Sequence, residues 1–480
     1  MSQTNKHAGL ALFILALSQL VLALDYTIIF VALPSIATDL GFSANHLQWV
    51  VSSYSLAYGG FLLIGGRLSD LLGRKRMFMV AISLFGVGSL LGGLAESQFL
   101  LIVARGIQGL GGALLSPATL SLIMSSFAEG AERNRALSVW GAMGGVGLSL
   151  GLLLGGVLTS YSGWEATFYV NVPIALLILV LSPFVLQESR LSTNTRHYDI
   201  AGTLSVTTGM LLVVYYLIQS PIDGWLATST FVPGLLGVGF LLLFVWIEKR
   251  TKEPLIPLRL FRLRSLTGAT LTAVLFSASF GTLYYFLTLY TQEVLHYTAV
   301  QSGLSFLPLT LSALLGAKFI HKMVSKIGVA GTIASGMVLG AIGFLLLTRL
   351  SETGTAWELI PGMVIIGLGQ AFVFTSMYIA SGTDVEPTQQ GVASAIVSTG
   401  QQIGSAIGLA VILAVIFSGL GSNVSLETMG AAELNQALRM AYISEAVIAV
   451  IGILIAFVTK QVKSASSAKA PQALDKSPQR

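Results

Sequence analysis

Asp25 is the residue that most needs a chemical explanation. It lies within Leu22–Pro34, LALDYTIIFVALP, a stretch otherwise apolar enough to cross a bilayer. A carboxyl group deep in a membrane helix costs about 2.5–3.5 kcal/mol on insertion scales, so it marks an ion or substrate path unless it is kept only for helix packing. At 1.5 Å rise per residue, Asp25 stands about 24 Å up a span that begins near Gly9. Arg105 descends about 9 Å from the opposite end of its own span. The two share a depth in the outer third of a core about 30 Å thick. A guanidinium there either pairs with a buried acid, for which Asp25 is the main candidate, or snorkels to the surface. A carboxylate held in this way is suited to carrying a proton. Glu445 is the other acid set inside a span, and is read as one or two turns below the outer end of its helix. It is either a second proton or cation site or a group facing the outer vestibule.

Neutral polar residues surround these charges. From Arg105 a polar or small stripe runs through Gln108, Gly109, Gly112 and Ser116 at helical spacing, as on a helix that lines a cavity. Gln370, Gln401 and Gln402 add amides in the second half of the chain. Tyr54, Tyr58, Tyr215, Tyr216, Tyr284, Tyr285 and Tyr378 either line an amphipathic pocket, where ring faces attract organic cations, or anchor helices at the membrane interface. The expected substrate cavity comprises Gln108, Tyr54, Tyr58, Tyr284, Tyr285, Gln370, Tyr378, Gln401 and Glu445. Gly147, Gly151 and Gly155 recur every fourth residue, a spacing that permits close helix packing.

The elements that must position these groups follow from composition. Hydrophobic residues make up 54% of the 480 and charged residues 10%, where soluble domains carry about 25% charge. The chain therefore reads as an all-α polytopic membrane protein. Apolar windows of spanning length fall at 9–31, 46–66, 77–95, 99–124, 136–158, 166–186, 199–219, 230–247, 266–291, 301–320, 327–349, 358–378, 390–417 and 440–459, fourteen in all. The first is longer than a signal-peptide core and lacks a cleavage pattern, so it is read as retained. With the N-terminus in the cytosol, inner segments hold 23 of the 26 Lys and Arg residues and outer segments only Arg349 and Arg439. The positive-inside bias thus places both termini in the cytoplasm. The basic balance reflects topology, and no nucleic-acid partner is implied.

Several chemistries are excluded. With no cysteine there is no disulfide, iron–sulfur cluster or thiolate metal site. His7, His46, His197, His296 and His321 fall in loops or at helix ends, so no metal site is expected. No phosphate-binding Gly-x-x-x-x-Gly-Lys-Ser/Thr loop exists, and Gly109–Gly112 has no preceding strand to make a dinucleotide site. No His/Asp or Ser/His constellation stands at catalytic spacing, so an enzyme is not expected. Gly109-Leu110-Gly111-Gly112-Ala113 is echoed 258 positions later by Gly367-Leu368-Gly369-Gln370-Ala371, and Gly73 by Gly328 at an offset of 255. Such a repeat suggests two six-helix halves around a central site. The expected organisation is an N-terminal bundle (1–190), inserted helices 7 and 8 with a cytosolic linker (191–264), a C-terminal bundle (265–462) and a disordered cytosolic tail (463–480).

Longer motifs add a family likeness. Gly65–Arg76, GGRLSDLLGRKR, matches the loop signature of the major facilitator superfamily between helices 2 and 3. Leu101–Ala113, LIVARGIQGLGGA, is similar to the helix 4 signature, and Leu24–Pro34 resembles the helix 1 signature of the fourteen-helix drug:proton antiporter branch. Asp199 with Gly202, Pro254–Arg262 and Asn171-Val172-Pro173 match further elements of that branch. Two positions depart from its pattern: Leu152 follows Gly151 where the helix 5 signature has Pro, and Trp164-Glu165-Ala166 stands in place of Trp-Arg-Trp. The resemblance implies the major facilitator fold and a cell-membrane efflux carrier for lipophilic, often cationic small molecules, working as a monomer. It would need no cofactor beyond the proton gradient. The resemblance also implies a conformational gate at Gly66, Asp70, Gly73 and Arg74, with Asp70 facing the N-terminus of helix 13 near Gln389. The alternative is a facilitator or symporter for one specific metabolite.

Overall fold

The structure is a computed structural model that describes residues 8–42, 44–188, 199–251, 254, 256–352, 354–386, 389–420 and 430–457. The expected tail 463–480, the linker residues 191–198, and His7 and His197 lie outside them. The helices are α1 (Ala8–Leu40), α2 (Ala44–Leu72), α3 (Arg74–Gly93), α4 (Gln98–Ser126), α5 (Ala131–Ser162), α6 (Ala166–Tyr169), α7 (Asn171–Val185), α8 (Ile200–Asp223), α9 (Thr228–Glu248), α10 (Arg264–Phe276), α11 (Leu283–Leu289), α12 (Ala299–Ser305), α13 (Leu307–Leu347), α14 (Ala356–Gly382), α15 (Gln390–Leu420) and α16 (Ala431–Ala456). No strand occurs among the described residues.

Among the described residues, eleven helical segments are long and apolar enough to cross a membrane. One of these, Val300–Leu347, is 48 residues long and turns back at Gly328, whose φ of 75° only glycine adopts without strain. Counting that span as two and adding α2 and α8, the crossings among the described residues number fourteen. Gly73, between α2 and α3, has a φ of 106°, so the two glycines related in sequence form the same left-handed joint in the two halves. Outward faces are apolar: Leu235, Leu236, Leu242 and Trp246 on α9 and Leu454 on α16 are all exposed. Such a surface suits lipid and would aggregate in water.

Within the N-terminal half α1 packs on α5, and α2 and α3 on α4; in the C-terminal half α13 packs on α14 and α16. The α1–α5 contact is a ladder of glycines against carbonyls. A Cβ on Gly147, Gly151 or Gly155 would stand 2.5–2.8 Å from the carbonyl oxygens of Leu20, Leu24 and Ile28 in turn. Only hydrogen leaves room for that approach. The pair α8–α9 rests on α2 and α15, along the seam between the halves. Asp199 caps α8, accepting from Gly202 N at 2.7 Å, which gives the Asp199/Gly202 motif a structural purpose.

Four elements differ from expectation. α1 runs on to Leu40 and α2 to Leu72, past the ends expected at 31 and 66. α16 begins at Ala431, nine residues before the expected 440. The window 266–291 is not one regular helix: π turns at Ser277–Gly281 and Tyr290–Val294 flank α11.

Candidate functional site

Two neighbouring constellations occupy the middle of the molecule. One is a closed polar cluster around Asp25, which is 1% exposed. Arg105 Nη1 donates to Asp25 Oδ2 at 2.8 Å. Gln108 Nε2 and Asn171 Nδ2 both donate to Asp25 Oδ1, at 2.9 and 2.8 Å. Arg105 also donates to Val50 O through Nε and to Gln108 Oε1 through Nη1, each at 2.9 Å, and Gln108 reaches Ser89 Oγ at 2.8 Å. Both oxygens of the carboxylate are thus occupied by donors, and the guanidinium meets an anion, an amide and a carbonyl. This is the condition under which a buried ion pair holds together.

Local sequence places each member. Arg105 and Gln108 are three residues apart and share a face of α4. Asn171 opens α7, where Pro173 has no N–H for the carbonyl of Tyr169 four residues back, and the helix is interrupted at Val170. The third donor to Asp25 was missing from the expected site. A lone amide beside a proline carries no charge signal, although it lay within a recognised motif.

The second constellation is a cavity of about 230 Å³ between the halves. Its wall includes Tyr26, Tyr54, Tyr58, Trp140, Tyr284, Gln370, Phe374, Tyr378, Gln401, Gln402 and Ser405. Among the described residues no Asp, Glu, Lys, Arg or His lines it. Tyr378 OH donates to Gln401 Oε1 at 2.5 Å, and Tyr284 OH and Gln370 Nε2 lie 3.2 Å apart. Trp140 stacks on Phe374, with ring centroids 5.6 Å apart, and meets Tyr378 edge-on at 5.2 Å. Trp140, Gln19 and Ser405 also line it but carry no sequence signal, since neutral residues in an apolar span give no sign of which way they point.

Tyr54 joins the two constellations. Its ring lies 4.5 Å from Arg105 Cζ, stacks on Tyr58, and forms part of the cavity wall. Gly109 and Gly112 make this possible: a Cβ on Gly112 would stand 2.9 Å from the Tyr58 ring, and one on Gly109 would meet the carbonyl of Tyr54.

Three expected cavity residues lie elsewhere. Gln108 is fully buried in the Asp25 cluster, because the two tyrosines of α2 cover the upper part of the α4 stripe and leave Ser116 to reach the cavity. Tyr285 is 40% exposed on the outside, since its neighbour Tyr284 faces inward and successive helical residues point about 100° apart. Glu445 faces neither vestibule nor cavity. It is 0% exposed, and the longer α16 puts it about 21 Å from that helix's start. Tyr54, Tyr58, Tyr284, Gln370, Tyr378 and Gln401 do line the cavity.

The halves touch at both ends of the cavity. At the end bearing the basic loops, Asp70 Oδ2 accepts from Val392 N, in the first turn of α15, at 3.3 Å. Its Oδ1 lies 3.4 Å from Arg74 Nη2. A Cβ on Gly66 would stand 2.6 Å from Gly391 O, and Gly73, at the turn into α3, leaves 2.6 Å for Glu188 Oε1. At the far end Ser149 on α5 hydrogen-bonds Thr310 on α13, and a Cβ on Gly303 of α12 would stand 2.9 Å from Leu153 N.

Comparison with known proteins agrees with this architecture. Residues 15–409 match the family model described as Major Facilitator Superfamily. The chain is 37% identical over 397 residues to the puromycin resistance protein Pur8 of Streptomyces alboniger, covering 82% of this chain and 78% of that one. It is also 37% identical over 401 residues to the cephamycin export protein CmcT of Amycolatopsis lactamdurans, covering 83% and 82%. The crystal structure of the human organic anion transporter MFSD10 superposes with a TM-score of 0.65 over 95% of this chain and 100% of that one, at 14% identity, and so shares the fold. The chain is a membrane transporter that belongs to the Major Facilitator Superfamily, in company with its drug and antibiotic exporters.

Proposed function

We propose that this transporter exports lipophilic small molecules from the cytosol in exchange for protons, by alternating access, and that Asp25 is the group that takes up the proton. The observation that carries this reading is the placement of the Asp25–Arg105 pair one aromatic ring, Tyr54, away from the cavity. A proton on Asp25 turns one oxygen into a donor, which the three groups pointing at the carboxylate cannot all accommodate. Arg105 then loses its counter-charge, and an uncompensated buried guanidinium costs several kcal/mol. Protonation therefore favours whichever conformation hydrates Arg105, and Tyr54, resting on that guanidinium, relays the change to the cavity wall.

The neutral, aromatic-rich lining suits lipophilic molecules, with ring faces available to cationic ones. It disfavours the metabolite-facilitator alternative, which calls for fixed polar contacts to one compound. The relatives' names, resistance to puromycin and export of cephamycin, point the same way. With no nucleotide-binding segment in the sequence, a proton gradient is the energy source. The excess of Lys and Arg at one end supports a cell-membrane protein with both termini in the cytoplasm. The gate at Asp70 then closes the cytosolic side, and the Ser149–Thr310 contact closes the outer side.

Dye export in everted membrane vesicles, with and without an imposed pH gradient, tests the assignment. Asp25→Asn is expected to abolish gradient-driven export while leaving dye binding in place. Export by this variant at the normal gradient-driven rate overturns it.

A further inference from the structure

A second buried carboxyl lies in the opposite half of the molecule, and the Asp25 cluster makes no use of it. Glu445 on α16 is 0% exposed and forms no salt bridge among the described residues. Among the described residues its Oε2 has no hydrogen-bond partner, and its Oε1 lies 2.9 Å from Thr282 Oγ1. Thr282 directly follows the π turn Ser277–Gly281, whose other side, through Ser277, Phe280 and Gly281, faces the cavity.

The hydroxyl of Thr282 has one hydrogen and three acceptors within reach: Ser279 O at 2.9 Å, Ala278 O at 3.1 Å and Glu445 Oε1. If Glu445 were ionised, that hydrogen would have to serve the carboxylate, and the second oxygen would remain a buried anion with no donor. If Glu445 is the acid, its own O–H donates to Thr282 Oγ1 and the threonine hydrogen stays on the π-turn carbonyls. Only the second arrangement satisfies these groups without stranding a charge.

Among the described residues no cation stands nearby to alter this. On α16 the nearest titratable group is Tyr442, one turn away, with a buried hydroxyl that has no partner; Glu433 and Arg439 lie toward the helix start. Of the elements packed on α16, α10 carries only Arg264 and α13 only Lys318, His321, Lys322 and Lys326, all toward the basic end. α15 and the first π turn carry no titratable group. α11 carries Tyr284, on the cavity, and Tyr285, on the outer surface. The second π turn carries Tyr290, whose hydroxyl donates to Ser351 O, and the exposed Glu293.

We propose that Glu445 is a second proton-binding site, in the half opposite Asp25, and that its proton holds the Ser277–Gly281 turn in its π form through Thr282. Loss of the proton draws the threonine hydrogen off the turn and places a charge behind the cavity wall, so the turn shifts. The site depends on the transporter reading only for the cycle it would serve.

Hydrogen exchange followed by mass spectrometry on the purified full-length protein, for peptides spanning residues 277–285, tests this without any transport. After correction for intrinsic rates, exchange in the wild type is expected to rise about tenfold per pH unit up to a midpoint and to level off above it. In Glu445→Gln, whose amide can donate as the acid does, exchange should stay at the slow level at every pH. In Thr282→Val it should be fast and independent of pH, and in Asp25→Asn the wild-type transition should persist. A transition unchanged in Glu445→Gln, one lost in Asp25→Asn instead, or a wild type with no transition overturns the proposal.

Discussion

Two glycines six residues apart on α5 are expected to answer the same added methyl group in opposite ways. A Cβ at Gly145 meets nothing within 4 Å and lies on the cavity wall. A Cβ at Gly151 would overlap Thr27 Oγ1 and stand 2.5 Å from Leu24 O, against about 3.3–3.6 Å for an unstrained contact of carbon with oxygen. α1 would have to retreat by about 1 Å. Overpacking of this kind costs about 1–3 kcal/mol, and the retreat stretches the bond from Thr27 Oγ1 to Leu148 O, now 2.7 Å, worth about 1 kcal/mol more. The better helix propensity of alanine returns about 1 kcal/mol at either position. Gly151→Ala should therefore lose about 1–3 kcal/mol, and Gly145→Ala should lose none or gain about 1 kcal/mol. The assay is the fraction of purified protein that stays monodisperse after stepped heating in detergent, with vesicle export measured alongside. Gly145→Ala should keep its stability and narrow the range of bulky substrates, because its methyl takes up cavity space. Equal melting of the two variants, or a more stable Gly151→Ala, would refute the reasoning about the α1–α5 ladder.

Arg105→Ala should destabilise the protein by about 3–5 kcal/mol by leaving Asp25 charged and unpaired; adding Asp25→Asn should restore much of the yield without restoring gradient-driven export, as read by expression and dye transport. Asp70→Asn removes the negative charge from the N-terminus of α15, an interaction of about 0.3–1 kcal/mol. Spin-label distances between the basic ends of α2 and α15 should then show a larger open population. Tyr284→Phe should weaken substrate affinity through loss of its contact with Gln370, while Tyr285→Phe should leave transport kinetics unchanged; equal effects would contradict their opposite facings.

What could be read from the sequence follows the strength of its physical signals. Asp25 and Arg105 stood out because a charge in an apolar window is rare and the fixed rise of a helix converts position to depth. The left-handed joints at Gly73 and Gly328 were visible as a repeat before any conformation was known. The start of α16 was placed too late because Asn435 and Arg439 lower the local hydropathy. Both donate to Leu350 O at 3.2 Å, Asn435 from a buried position and Arg439 from an exposed one, and the error carried over to the depth of Glu445. Gln108 and Tyr285 were misassigned for a different cause. Spacing tells which residues share a face but not which neighbour covers that face, and tyrosines on α2 decided the first case. The π turns left no trace, since no single residue type dictates them.

Among the described residues no ionised side chain stands on the cavity wall, which on the proposed reading separates choosing a passenger from moving it. Under the proposed proton coupling, replacing a wall residue such as Gln402 or Ser405 is expected to reshape the chamber without removing either charge of the Asp25–Arg105 pair. On the proposed reading, small edits to this lining are expected to change which compounds are carried while leaving the Asp25–Arg105 pair intact.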